Sequence, residues 1–340
     1  MINVSGRKVY IDYLRVLSGI LVIYNHTRLR GFDLFKVTQE TSSFWLSVIM
    51  VPLCKIAVPI FLMISGVTLL SKQESLKDLF LKRILRYVLI ILLFGTVQYF
   101  RFFRTGKVVL SLGGWFTSVF CSPILETYWF LYLYLGFLLL LPLLRKLAAG
   151  MDKKDFIYLF LINAVYSVLL VIGHFTGYFI NGNVFQLTNI IVYPLLGYGI
   201  DKYGHEIKKA YFFLISVTSL IFMVMAGAFY NGLHPGQYEG LSNVIQTFTP
   251  LISCGIFGTF KALCKNKESK IICAVGSTIF GVYLIEDVVR NQIEKILIRT
   301  NLELYVNDFM VAMLFTLCAF FGSVIIVYIC KKIPLINKVI

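Results

Sequence analysis

The chain has 340 residues, of which 58% are hydrophobic, 16% aromatic and 14% charged, and its formal net charge is +15 at pH 7. A soluble chain of this length could not hide that much apolar surface, so a water-soluble globular domain is excluded. The positive balance does not mark a nucleic-acid binder, because the basic residues are spread over loops rather than gathered on one folded basic surface.

Apolar stretches of about 18 to 25 residues alternate with short charged or Gly/Asn/Pro-rich loops, which predicts an all-α, polytopic transmembrane helical bundle. About ten spans are expected, near 10–28, 46–70, 84–103, 127–145, 156–173, 184–200, 210–230, 243–262, 271–289 and 307–330, within a single integral-membrane domain covering 1–340. Arg7 and Lys8 before an apolar run imitate a signal peptide. Asp12 and Arg15 interrupt that run and no small-x-small cleavage site follows, so an uncleaved first span is expected.

Ten spans put both termini on one side, and Lys and Arg are in excess there, with Lys72, Lys77, Lys82, Arg83 and Arg86 in one loop. That excess predicts cytoplasmic termini and a multi-pass protein of the plasma or inner membrane, with membrane lipid as its surroundings. Arg28, Arg30, Lys36, Arg101, Arg104 and Lys107 break the rule by falling on the other side. Pro52, Lys55 and Pro59 predict a bent or interfacial first part of the second span. No appended soluble domain is expected, so loops 105–126, 231–242 and 290–306 are expected to meet any external partner. The seven cysteines are scattered without CxxC or Cys/His metal spacing, which predicts neither a disulfide framework nor a metal site.

The first span carries most of the chemistry. Arg15 and His26 are eleven residues apart, which at about 100° per residue is three turns plus about 20°. Both side chains therefore share one helical face, about 16 Å apart along the axis. Ionisable groups persist in hydrocarbon mainly when they face a protein interior or a watery cavity. His26, beside Asn25, is a candidate general base, since imidazole is the side chain whose ordinary titration range suits that role near neutral pH. The alternative is a histidine at the membrane boundary, bonded to a backbone carbonyl.

Arg83 and Arg86 form an i, i+3 pair whose guanidiniums suit phosphates, with Lys82 as a third charge. Ordinary basic flanking of a span is the more usual reason for such charges. Ser65-Gly66 permits close helix approach or passage of a thin ligand. Tyr128-Trp129-Phe130 reads as an interfacial aromatic belt or as the wall of a sugar cleft. Glu286 and Asp287 are two adjacent acids inside an apolar run, so at least one should face a polar cavity or a cation, with Arg15 and Lys55 as candidate partners. No nucleophile elbow, Walker loop or HExxH motif is present.

Together these segments resemble the membrane acyltransferase-3 family, bacterial integral-membrane enzymes that acylate cell-envelope glycans. Asp12-Tyr-Leu-Arg15 followed by ten residues and His26 resembles the family's Arg-x10-His signature. Val58-Pro-Ile-Phe-Leu-Met-Ile-Ser65-Gly66, Arg83-Ile-Leu-Arg86, Tyr128-Trp-Phe-Leu-Tyr132 and Phe280-Gly-Val-Tyr-Leu-Ile-Glu286 resemble its later motifs in order. Where the family usually ends the last of these with His, this chain has Glu286, so a role at that position does not carry over directly.

The resemblance implies an O-acyltransferase that moves an acetyl or other short acyl group from cytoplasmic acyl-CoA, most simply acetyl-CoA, to a hydroxyl of an envelope or extracellular polysaccharide. His26, Arg15 and Asn25 would then be the catalytic set. Arg83, Arg86, Arg15 and Ser65 would meet the coenzyme A donor, and Tyr128, Trp129 and Glu286 the envelope glycan acceptor. Two other readings fit the composition: a transporter or flippase of a glycan or small anion, whose path these polar groups line, and a sensor or assembly partner in which they only pack helices.

Overall fold

The computed structural model describes residues 8–38, 41–179, 189–264, 269–300 and 306–333. Arg7, the first residues of the sixth expected span and residues 301–305 of the 290–306 loop fall outside them. The described residues form helices and contain no strand. In chain order they are α1 (Val9–Asn25), α2 (Ser42–Lys55), α3 (Ala57–Leu69), α4 (Leu76–Leu79), α5 (Leu85–Arg104), α6 (Leu112–Phe116) and α7 (Trp129–Gly150). Then follow α8 (Lys153–Thr176), α9 (Asn189–Tyr203), α10 (Lys209–Leu233), α11 (Tyr238–Val244), α12 (Thr249–Cys264), α13 (Lys270–Thr300) and α14 (Asp308–Cys330).

Among the described residues six helical segments are long and apolar enough to cross a bilayer: Ser43–Leu69, Glu126–Gly150, Lys153–Thr176, Lys209–Leu233, Lys270–Thr300 and Asp308–Cys330. Counting α11 and α12, bent by 46° at a short break, as one broken span makes seven. α1, α5 and α9 occupy three more of the expected segments but do not meet that standard. α1 has 17 residues with Asp12 and Arg15 inside it, α9 has 15, and α5 carries Arg86, Arg101 and Arg104 near its two ends. Large apolar side chains such as Leu93, Val97, Leu143, Val165, Phe213 and Ile325 face outward on the long helices. Water would not tolerate a surface of that kind, whereas lipid matches it.

Several expectations about breaks need correction. The second expected span is not sharply bent: α2 and α3 follow each other with a one-residue interruption at Ile56 and form one 27-residue apolar segment. Pro59 is harmless there because it lies in the first turn of α3, where its missing N–H has no partner to lose. The expected loops are also more ordered than a connection need be. Residues 105–126 hold α6 and a π-helical turn over Thr117–Cys121, residues 231–242 run into α11, and residues 290–300 continue α13.

Two close helix approaches fix the centre. A Cβ on Gly66 would lie 1.9 Å from the Pro194 carbonyl oxygen, and one on Gly197 would lie 2.4 Å from that of Met63. α3 and α9 thus touch backbone to backbone, each supplying a glycine where the other comes nearest. α1 and α13 run side by side in the same direction. Gly276 sits against Asp12, Gly19 against Ile279, and Glu286 against His26. That register carries the polar stripe of α1 along one wall of the interior.

Candidate active site

A cavity of about 720 Å³ follows the polar face of α1. Arg15, Asn25 and His26 all line it, and Ser65, Arg83 and Arg86 join them from α3 and the α4–α5 segment. The stripe read from helical spacing is therefore one wall of a real space, with guanidiniums toward one end and an imidazole toward the other. Trp129 lines it too. Tyr128 does not: its ring is buried, and its hydroxyl donates to the Leu284 carbonyl at 2.8 Å and accepts from Gln98 at 3.2 Å.

His26 is the C-cap of α1, and its side chain is 10% exposed. Its Nδ1 lies 2.9 Å from Oε1 of Glu286, a carboxylate only 1% exposed and not part of the cavity lining. With Nδ1–H donating to that carboxylate, Nε2 is the nitrogen left to act as an acceptor. Arg290 completes the arrangement from one helical turn further along α13. Its Nε donates to Oε2 of Glu286 at 3.1 Å, its Nη2 to Oδ1 of Asp287 at 3.1 Å, and its Nη1 to the His26 carbonyl at 2.6 Å. One guanidinium thus ties the end of α1 to the acids of α13, and Arg101 engages the other oxygen of Asp287. The buried acids are hydrogen-bonded and paired, as burial of charge demands.

The acids of α13 are consequently not partners of Arg15 or Lys55, as the sequence had suggested. Arg15 donates to Asp12 at 3.0 Å, a carboxylate with no exposed surface, and Lys55 lies 4.6 Å from the centre of the Phe32 ring. Arg290 escaped sequence reading because a loop was expected to begin there. Its i+4 and i+3 spacing from Glu286 and Asp287 is the signal that a longer helix would have exposed.

At the guanidinium end, Arg83 lies in a π-helical turn, Phe80–Ile84, between α4 and α5. Glu74 grips it through Nε and Nη2 at 2.9–3.0 Å and also accepts from Arg145 at 2.8 Å. The Arg83 hydrogen bonds, with those of Arg145, hold the Glu74 carboxyl down at about 2 against an ordinary 4.5. Lys82 pairs with Asp78 at 2.9 Å. The basic mouth is thus a set of cations held by acids rather than a loose cluster.

Four of the six basic residues that broke the charge rule are paired with acids. Arg28 meets Glu126 at 2.8 Å, Arg30 meets Glu294 at 3.0 Å and Lys36 meets Asp33 at 2.8 Å, while Arg101 belongs to the Asp287 pair. Among the described residues no group of His, Cys, Asp and Glu is placed to hold a metal ion.

Fold and cavity together describe a multi-pass membrane protein whose interior holds a carboxylate-oriented imidazole. A family model described as an acyltransferase domain, acyltransferase type 3, matches residues 8–332, nearly the whole chain. The chain belongs to that family, and it is a membrane acyltransferase. No curated protein and no solved structure matches it.

Proposed function

We propose that the protein moves an acetyl or other short acyl group from cytoplasmic acyl-CoA to a hydroxyl of a cell-envelope or extracellular glycan, with His26 as general base. The observation that carries this reading is the single cavity that joins the cationic end at Arg15, Arg83 and Arg86 to the imidazole of His26. Bound there, acyl-CoA would supply an activated thioester. The residues present suit it, since guanidiniums bind phosphate as forked donors and the cavity continues about 16 Å along α1 from Arg15 to His26.

In this reading Arg83 and Arg86 bind phosphate oxygens at the mouth, and Arg15 steadies the arm of the donor from a position fixed by Asp12. Glu286, held by Arg290, keeps the His26 ring oriented with Nε2 toward the cavity and stabilises the imidazolium that forms. Nε2 takes the proton of the acceptor hydroxyl as its oxygen bonds to the acyl carbon. Collapse of the tetrahedral intermediate breaks the carbon–sulfur bond, and the imidazolium returns the proton to the departing thiolate. Asn25 is the proposed donor to the oxyanion. It lines the cavity next to His26, where its amide nitrogen would be the donor.

The test uses membranes carrying His26→Ala, labelled acetyl-CoA and the native surface glycan. Loss of O-acetyl transfer with normal protein abundance is the expected result, and undiminished transfer removes His26 from the mechanism. Release of free coenzyme A by purified protein separates the enzyme from a transporter, which releases none.

A further inference from the structure

Lys55 lines the same cavity as His26 and is absorbed by none of the roles above. It stands at the His26 end, because its ammonium lies over the ring of Phe32, six residues beyond His26. Lys55 makes no ion pair with a carboxylate among the described residues. Asp33 contributes to the field there, but its carboxylate is engaged by Lys36 at 2.8 Å and does not line the cavity. Among the described residues no Asp or Glu lines the cavity at all.

The neighbouring polar wall has a definite sense. Gln246 and Thr249, at the break between α11 and α12, both line the cavity. The Gln246 amide nitrogen already donates to Ser242, and the Thr249 hydroxyl already donates to the Gln246 carbonyl. The atoms they keep uncommitted are acceptors, Oε1 and Oγ1, suited to hydroxyl donors of a sugar. Trp129 adds an aromatic face. One ammonium beside neutral acceptors matches a hydroxyl-rich ligand with a single negative charge. A dianionic phosphate calls instead for several cations or a forked guanidinium.

Resting on the acyl-transfer reading, we propose that Lys55 binds a substrate carboxylate beside His26, so that the enzyme selects an acidic acceptor sugar such as a uronide, or an acyl group bearing a terminal carboxylate. The carboxylate source is separable by experiment. Purified protein in nanodiscs is given acetyl-CoA with methyl glucuronide or methyl glucoside, and in a second arm succinyl-CoA or acetyl-CoA with methyl glucoside, and released thiol is measured.

One arm is expected to show a KM lower by about tenfold or more for the charged partner, the scale of one charge-assisted hydrogen bond. Lys55→Gln should erase that preference through KM, and Lys55→Arg should keep it. Equal KM values in both arms, or an unchanged preference in Lys55→Gln, overturn the inference. So does an equal fall in kcat for every substrate in Lys55→Gln, which would make Lys55 an oxyanion donor. Absence of thiol release in every arm counts against acyl transfer itself. Tryptophan quenching by the glucuronide and by succinyl-CoA then decides on Lys55 alone: quenching by either that is lost in Lys55→Gln supports the carboxylate site, and equal quenching by both ligands in the two proteins overturns it.

Discussion

Glu286→Gln tests the most specific feature of the site. The substitution keeps the shape of a side chain that is 1% exposed and removes only its charge. At about 4 Å between charge centres and an effective dielectric of about 20, carboxylate and imidazolium attract by about 4 kcal/mol. That corresponds to about a thousandfold in rate if all of it develops with the proton transfer. Arg290 already neutralises part of the carboxylate, and glutamine still contacts the ring, so the expected loss is about a hundredfold in kcat. On the proposed mechanism the KM for acyl-CoA should stay within about threefold, because Glu286 is not on the cavity lining and contacts His26 rather than the donor. The assay is steady-state release of thiol from acyl-CoA by protein in nanodiscs, with size-exclusion profiles matched to wild type. Glu286→Asp, which keeps the charge and retracts it, should recover part of the rate. A kcat within about threefold of wild type in correctly folded Glu286→Gln would refute the orienting role.

Three further outcomes are expected. Gly66→Ala puts a methyl against the Pro194 carbonyl and should lower the apparent melting temperature by about 5 °C or more in a fluorescence thermal scan, as forced overpacking does. Gly276→Ala places a carbon 2.8 Å from the Asp12 Cβ and 2.9 Å from its Oδ1, so it should disturb the Asp12–Arg15 pair and raise the KM for acyl-CoA more than it lowers kcat. Glu74 has a folded pKa below its unfolded one, so its stabilising contribution is full above about pH 4.5 and fades as pH falls toward 2. The stability advantage of wild type over Glu74→Gln, read by acid titration of intrinsic fluorescence, should disappear across that window.

The tertiary arrangement also explains features that look anomalous along the chain. Ser65-Gly66 reads as a small-residue pair of unspecified purpose, yet its glycine and Gly197 form a reciprocal contact that lets α3 and α9 meet backbone to backbone. Four of the cations that violate the charge rule, Arg28, Arg30, Lys36 and Arg101, are matched by Glu126, Glu294, Asp33 and Asp287, each distant in sequence or hidden at a helix turn.

What the sequence by itself determined is what short-range regularity can encode. Runs of apolar residues set the helices, and the 3.6-residue period put Arg15 and His26 on one face before any neighbour was known. The motif order also pointed to the family. Tertiary structure alone decided which polar groups meet. His26 and Glu286 are 260 positions apart, and Arg290 reaches back across a similar distance to the His26 carbonyl. No periodicity within one helix specifies such pairs, because they depend on how α1 and α13 are registered by Gly19, Gly276 and their neighbours. The same register gave Glu286 to the imidazole and kept it off the cavity wall.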